Sequence, residues 1–259
     1  MQKFKYNAYA ITVKDQNKES NQDNYYLSGH FVPLGEEDEF KSANPLSKSQ
    51  VFAICGGIEA FEDGRDAALQ CVSTLEGLES KLKKLEGRMD ATQITKEYLI
   101  DFSENLQKKS SYDKEKTGIT FAGLVTFEDN FFIANIGDSK IFHVRGSMFT
   151  ELSSTHVAYE YFPQGQVKKY PTRYLGSEIN NFPYITEISN LLPDDIFLLC
   201  NDGLYEAVES ISILDILMNH QNIEAAGSKL LRHAQKRGST DNITFMIIKI
   251  LSDGQVQAK

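Results

Sequence analysis

The chain alternates between short apolar runs and segments with helical periodicity. Runs rich in β-branched and aromatic residues predict strands over 6–13, 23–27, 51–55, 120–127, 131–136, 140–144, 185–188, 196–200 and 243–250. Apolar residues three and four positions apart predict helices over 63–85, 92–109, 212–218 and 223–235. Residues 29–50 are polar and acidic and contain two prolines, which indicates an exposed loop.

This order of elements indicates the fold class. Strands are followed by two helices, more strands, two further helices and a closing strand. We therefore expect an α+β fold in which two antiparallel β-sheets pack as a central sandwich with helices on the outside, in α-β-β-α layers. No internal repeat or low-complexity linker interrupts the pattern, so residues 1–259 are interpreted as a single domain.

Charge and cysteine content narrow the classes of function. The formal net charge of −9 argues against nonspecific nucleic-acid binding and against residence on an anionic membrane. No apolar run reaches the roughly 18 residues of a membrane span, and the N-terminus does not resemble a signal peptide. Cys55, Cys71 and Cys200 show no metal-binding spacing and are expected to be buried, reduced thiols. We expect a cytoplasmic monomer.

Aspartates recur where predicted strands meet turns of small residues. Asp23 opens a strand, Asp138 and Asp202 follow strands, and Asp241 precedes the last strand. Each one alone is compatible with a turn-forming role. Together they resemble a metal site, because Mg²⁺ and Mn²⁺ prefer several carboxylate oxygens held on rigid elements. Two such ions roughly 3.5–4 Å apart can activate a water for in-line attack on phosphorus.

Six short strings in the chain carry a family resemblance. They are SNQDN at 20–24, FAICGG at 52–57, TGITFAG at 117–123, ANIGDSK at 134–140, DIFLLCNDGLYEAV at 195–208 and GSTDNIT at 238–244. In this order they resemble the motifs of the protein phosphatase 2C family of manganese- or magnesium-dependent Ser/Thr phosphatases. The resemblance implies a β-sandwich flanked by pairs of helices, and a phosphoprotein carrying phospho-Ser or phospho-Thr as substrate.

The resemblance also implies roles for particular residues. Asp202 and Asp241 match ligands of the core metals, and Asp138 matches a ligand of an accessory third metal. Asp23 matches the acidic residue that orients a metal-bound water. Lys18 stands where the family has an arginine that grips the substrate phosphate. Lysine keeps the positive charge there but loses the bidentate geometry of arginine.

One central motif departs from the family pattern. The family has Asp-Gly-x-Gly-Gly after an apolar strand, with a later glycine that Gly64 matches here. In this register the metal-bridging aspartate falls on Gly56, and its following glycine falls on Gly57, which we assign to the metal site. The segment between His156 and Arg173 is shorter than the family's flap, so no substrate contact is inferred there.

These departures leave two interpretations of the function. In the first, the chain is a working phosphatase in which Glu59, Glu62 or Asp63 replaces the lost aspartate. In the second, it is a pseudophosphatase that keeps one weak Mn²⁺ or Mg²⁺ site and binds a protein partner. Losing a bridging carboxylate should weaken and misplace the metals, so we expect impaired catalysis. A nucleotide-binding module is disfavoured because no phosphate-loop or dinucleotide fingerprint is present.

Overall fold

The computed structural model describes residues 5–44, 49–58, 61, 63–85, 88–113, 116–128, 130–163, 165–179, 181–220 and 222–251. Within them lie thirteen strands: β1 Lys5–Val13, β2 Asp23–Leu27, β3 Glu39–Ala43, β4 Ser49–Gly57, β5 Ile119–Phe127, β6 Asn130–Ile136, β7 Lys140–Arg145, β8 Met148–Glu151, β9 Val157–Tyr161, β10 Val167–Pro171, β11 Tyr184–Ile188, β12 Ile196–Cys200 and β13 Ile243–Leu251. The same residues contain five helices: α1 Gly64–Leu82, α2 Arg88–Asp113, α3 Asp202–Tyr205, α4 Ser210–Met218 and α5 Ile223–Lys236.

Most of the strands form two antiparallel sheets. One sheet has the order β3-β1-β13-β12-β7-β8, and the other has the order β11-β6-β5-β4-β2. The chain changes sheet several times, and one of these crossings is the turn from β6 to β7. Strands β9 and β10 pair only with each other and form a separate hairpin. The predicted α+β sandwich is therefore confirmed.

Three apolar layers hold this arrangement together. Between the sheets, Ala8 and Ala10 of β1 share a buried cluster with Phe52 and Ile54 of β4. The alternate residues of β4 face α1 and α2, and those of β1 face α4 and α5. Strands buried on both faces read as continuous apolar runs, which explains why they stand out in the sequence.

The element predictions differ from the structure mainly in the polar segments. The predicted loop at 29–50 is wrong in part, since it contains β3 and the first residues of β4. Strand β3 pairs with β1 alone and has one side in solvent, so its sequence lacks the apolar run of a central strand. Strands β8, β9 and β10 and the short helix α3 were also not predicted.

Two further sequence-based expectations concern the cysteines and the membrane. Cys55, Cys71 and Cys200 are free and buried, as expected. Within the described ranges, no helix combines the length and the apolar character needed to cross a membrane.

Candidate metal and active site

The pairing of β12 with β13 brings two predicted ligands to one edge. Asp202 lies two residues after β12 ends, and Asp241 lies two residues before β13 begins. The strands are antiparallel, with Cys200 opposite Phe245, so the end of one lies beside the start of the other. Asp202 and Asp241 therefore meet at the same edge of the first sheet.

The second sheet contributes the other two aspartates to this edge. Asp23 opens β2 opposite Gly56, and Gly56 in turn lies opposite Thr120 at the start of β5. Asp138 lies in the turn where the chain leaves β6 for the other sheet. A cleft of about 810 Å³ is lined by all four aspartates together with Lys18, Gly56 and Gly57. The structure thus brings to one place the six residues assigned to the site, which are Lys18, Asp23, Gly57, Asp138, Asp202 and Asp241.

Asp23 is held from two sides by asparagines. Asn201 donates from Nδ2 to Asp23 Oδ2 at 2.8 Å, and the Asp23 amide donates to Asn21 Oδ1 at 3.0 Å. Burial raises the pKa of Asp23 well above its usual value, and the other three aspartates raise it further despite a hydrogen bond with Thr244. The sequence prediction missed Asn201, although its place at a strand end directly before Asp202 was a usable signal.

Gly56 and Gly57 are neighbours with different structural requirements. A Cβ on Gly57 would lie 2.6 Å from the backbone of Gly64, so the close start of α1 requires glycine there. A Cβ on Gly56 would point toward the cleft, 2.9 Å from Asp23 Oδ1 and 3.1 Å from Thr120 Oγ1. Both of these atoms belong to side chains, whereas the atoms that crowd Gly57 belong to the backbone. A side chain at 56 would therefore enter the site, whereas one at 57 would disrupt the fold.

A lysine that the sequence prediction missed lies among the aspartates. Lys169 Nζ is 2.7 Å from Asp138 Oδ2, 2.7 Å from Asp202 Oδ2 and 3.1 Å from Glu206 Oε1. It also lies 3.4 Å from the hydroxyl of Tyr205. The signal in the sequence was the basic pair at 168–169 within an acidic chain, but nothing in its spacing links it to the aspartates.

Lys169 reaches the cleft from the separate hairpin, on strand β10. The base of this hairpin is joined to the Asp138 turn through His156, a buried residue. His156 donates from its amide to the Gly137 carbonyl at 3.0 Å, and its Nδ1 accepts from the Gly137 amide at 3.2 Å. The hydrogen bonds between His156 and Gly137 therefore anchor the hairpin that carries Lys169 next to Asp138, one of the carboxylate partners of that lysine.

The charges in this cluster shift one another's protonation. Burial raises the pKa of Asp138, and Asp202 raises it further while Lys169 opposes the shift. Burial alone would lower the pKa of Lys169, but Asp202 and Asp138 raise it well above its ordinary value. Burial and the same two carboxylates also raise the pKa of Tyr205. The ammonium ion is thus the charge that balances Asp138 and Asp202.

The remaining predicted residues have simpler placements. Lys18 Nζ lies 3.4 Å from Asp241 Oδ1 at the other side of the cleft. Asp63 directly precedes α1 and is not among the described residues that line the cleft. Glu59 and Glu62, the other proposed replacements for the lost aspartate, lie outside the described residues.

The side chains as placed do not fit a centre of two bridged metal ions. Position 56 has no carboxylate, and the Lys169 ammonium occupies the space between Asp138 and Asp202. In the part of the chain that the structure describes, no three His, Cys, Asp or Glu side chains are grouped so that they could hold a metal ion. The aspartates converge, but the charge arrangement differs from that of a loaded metal site.

A two-sheet sandwich with helix pairs outside and aspartates gathered at one edge is the architecture of metal-dependent Ser/Thr phosphatases. The chain belongs to the protein phosphatase 2C family, whose model matches residues 16–161 and 159–243.

Individual relatives agree with this assignment at low identity. The chain is 25% identical over 155 residues to the serine/threonine phosphatase stp of Listeria welshimeri, covering 56% of this chain and 61% of that protein. It is 26% identical over 173 residues to probable protein phosphatase 2C 45 of Oryza sativa, covering 58% and 60%. The chain therefore spans about three fifths of the length of these relatives.

Solved structures with this fold cover nearly the whole chain. A bacterial serine phosphatase matches with a TM-score of 0.76 and 20% identity, covering 96% of this chain and 99% of that one. The catalytic domain of the phosphatase PstP, solved with two manganese ions, matches with a TM-score of 0.72 and 17% identity, covering 96% and 100%. At these identities the structures bear on the fold alone.

Proposed function

We propose that this domain is a phosphoprotein phosphatase with a degenerate metal centre, whose Mn²⁺- or Mg²⁺-dependent hydrolysis of phospho-Ser and phospho-Thr is strongly impaired. The observation that carries the proposal is the direction in which a side chain at position 56 would point. A side chain there would face Asp23 and Thr120 in the cleft, and glycine supplies no carboxylate. The family resemblance assigns a metal-bridging aspartate to the same position.

The missing carboxylate at position 56 weakens the binding of metal ions. A bridging carboxylate supplies negative charge to two cations and fixes the distance between them. Without it, the remaining aspartates repel one another and hold a cation pair poorly. We infer that Asp202 and Asp241 retain at most one weak cation site.

Lys18 fits a role in holding the substrate phosphate. Its ammonium lines the cleft beside Asp241, and a lysine there attracts a phosphate as a point charge. Single-point attraction orients the phosphate less firmly than the two parallel bonds of an arginine. This substitution is a second reason to expect slow turnover.

The hairpin surface favours a second candidate function, that of a binding module. Tyr159, Tyr161 and Phe162 are 54%, 76% and 40% exposed on the β9–β10 hairpin beside the cleft. Exposed aromatic side chains grouped on one surface are typical of protein-binding sites. A pseudophosphatase would use such a surface to hold a phosphoprotein or another protein partner without hydrolysing it.

The test is Mn²⁺-dependent hydrolysis of a phosphopeptide by the wild-type chain and its Gly56→Asp variant. We expect the variant to be faster by on the order of 100-fold, because it restores the charge that holds two metals. Gly56→Asn is the matched control, since it adds nearly the same volume without the charge. We expect no comparable gain from Gly56→Asn.

The other outcomes separate the alternatives. Equal Mn²⁺-dependent turnover in the wild type and in Gly56→Asp would contradict the degenerate centre and would point to Glu59, Glu62 or Asp63 as the substitute ligand. No turnover in either protein would favour the binding module. In that case the wild type should bind the phosphopeptide, and Tyr161→Ala should weaken the complex in a fluorescence anisotropy titration.

A further inference from the structure

We propose that the Lys169 ammonium is a built-in cation that takes the place of a divalent ion between Asp138 and Asp202, and that it latches the β9–β10 hairpin over the cleft. A divalent cation and the latched hairpin are then mutually exclusive states of the domain.

The coordination of the ammonium group supports this assignment. Asp138 and Asp202 each place a carboxylate oxygen 2.7 Å from Nζ, and Glu206 places one at 3.1 Å. An ammonium has three N–H donors, and these three oxygens match them in number. The carboxylates come from the β6–β7 turn and from the α3 region, which are far apart in sequence. Lys169 thus gathers oxygens as a bound metal ion does.

Competition with a metal ion follows from distance and charge. A magnesium ion lies about 2.0–2.1 Å from its carboxylate oxygens, closer than the ammonium nitrogen does. An ion bound by the same oxygens of Asp138 and Asp202 would therefore overlap the present position of Nζ. Because both are cations, Lys169 has to leave before a divalent ion can enter.

The attachment of the hairpin explains why this exchange would move it. Strands β9 and β10 share no hydrogen-bonded ladder with either sheet of the sandwich. The base of the hairpin is tied to Gly137 through His156, while Lys169 on β10 connects the hairpin to Asp202 and Glu206. Displacing Lys169 would remove these ion pairs and leave the base in place. The hairpin would then be free to open at one side of the cleft.

This inference concerns the same cleft as the proposed function but depends on Lys169 and not on Gly56. It requires no hydrolysis, and its test measures metal binding and hairpin exchange. If Gly56→Asp shows no gain of activity, the inference about Lys169 is therefore unaffected. If the tests of this inference fail, the proposed function is unaffected.

The first experiment is calorimetric titration of Mn²⁺ into the wild type and Lys169→Met. We expect Lys169→Met to bind Mn²⁺ at least about tenfold more tightly, a typical size for changes around a metal site. Lys169→Arg keeps the cation and should remain within about threefold of the wild type by the same standard. Lys249→Met is the matched control: Lys249 is 23% exposed against 22% for Lys169, and it pairs with Asp194 at 3.0 Å. Its variant should bind Mn²⁺ as the wild type does.

The second experiment uses hydrogen exchange, and its first comparison uses the wild type alone. In the wild type, saturating Mn²⁺ should accelerate amide exchange across residues 157–171, because the ion displaces Lys169 from its carboxylate partners. Without Mn²⁺, Lys169→Met should show the same acceleration and Lys249→Met should not. The proposal would be overturned if Lys169→Met bound Mn²⁺ with the affinity of the wild type. It would also be overturned if Mn²⁺ did not change the rate of amide exchange of the hairpin in the wild type.

Discussion

Strand β12 has an aspartate within two residues of each of its ends, and the two ends have different surroundings. Asp195, before the strand, has a side chain that is only 1% exposed and accepts two bonds from Arg145, at 2.7 Å from Nε and 2.6 Å from Nη2. The Leu192 amide donates a third bond at 2.9 Å. Burial alone would raise the pKa of Asp195, but Arg145, the Leu192 amide and His143 lower it below its usual value.

At the other end of β12, Asp202 lies among three more aspartates. The described residues lining this cleft include five acidic side chains and three lysines. Burial and neighbouring carboxylates raise the pKa values of Asp23 and Asp138. Arg145 belongs to the sheet itself, whereas Lys169 comes from a separate hairpin. At the Asp195 end of β12, the charges therefore form a structural ion pair. The Asp202 end combines excess negative charge with a detachable cation, and these are features of a functional site.

The largest expected difference between the two ends is in stability. Arg145→Met should lower the free energy of unfolding by about 3 kcal/mol, because it leaves Asp195 buried without its main partner. Lys169→Met should cost less, about 1 kcal/mol, because its carboxylate partners stay partly hydrated. Urea denaturation of both variants at pH 7 measures this. Equal losses would contradict the distinction between a structural pair and a detachable one.

A smaller effect of opposite sign is expected from relieving the charge of the cleft. Asp23→Asn should raise the free energy of unfolding by about 1 kcal/mol when no divalent cation is present, since it removes one of several mutually repelling charges. The amide oxygen can still accept the bond from Asn201. Asp195→Asn is the control at the other end of β12 and should destabilise. A loss of stability in Asp23→Asn would show that its charge is well compensated.

The smallest effects concern pH and have opposite signs at the two ends. Asp195 has a lowered folded-state pKa, so its contribution is present above the unfolded value of about 3.9 and is lost as pH falls through the lower folded value. Asp23 has a raised folded-state pKa, so its effect on stability becomes unfavourable as pH rises from about 3.9 through the folded value. The gain from Asp23→Asn should therefore disappear on acidification to about pH 4. Thermal unfolding of the wild type and Asp23→Asn from pH 4 to 7 checks this, and a gain that does not change with pH would contradict it.

The sequence predicted the parts of the site that depend on local pattern. Asp202 and Asp241 sit beside apolar runs that became the central strands β12 and β13, so their convergence follows from antiparallel pairing. The pairing of β2 with β4 places Gly56 opposite Asp23, a relation that was not predicted from the sequence. These relations depend on strands buried on both faces, whose sequence signal is strong.

The parts that escaped prediction depend on long-range contacts of polar segments. Lys169 meets Asp202 across 33 positions of sequence, and no periodicity in its hairpin reports that contact. The strands β9 and β10 are mostly exposed, so they lack the apolar pattern on which strand prediction rests. The same reason applies to β3 at the sheet edge. A lone lysine in a polar hairpin resembles any solvated side chain until its partners are known.

The most direct test of the account is the Mn²⁺ affinity of the double variant Gly56→Asp, Lys169→Met beside the two single variants and the wild type. Both changes act on one cleft, the first by supplying a bridging carboxylate and the second by removing the resident cation. We expect Mn²⁺ binding to tighten in each single variant and by about 100-fold or more in the double variant, measured by calorimetry. A wild-type chain that already binds two Mn²⁺ ions as tightly as the double variant would contradict the account.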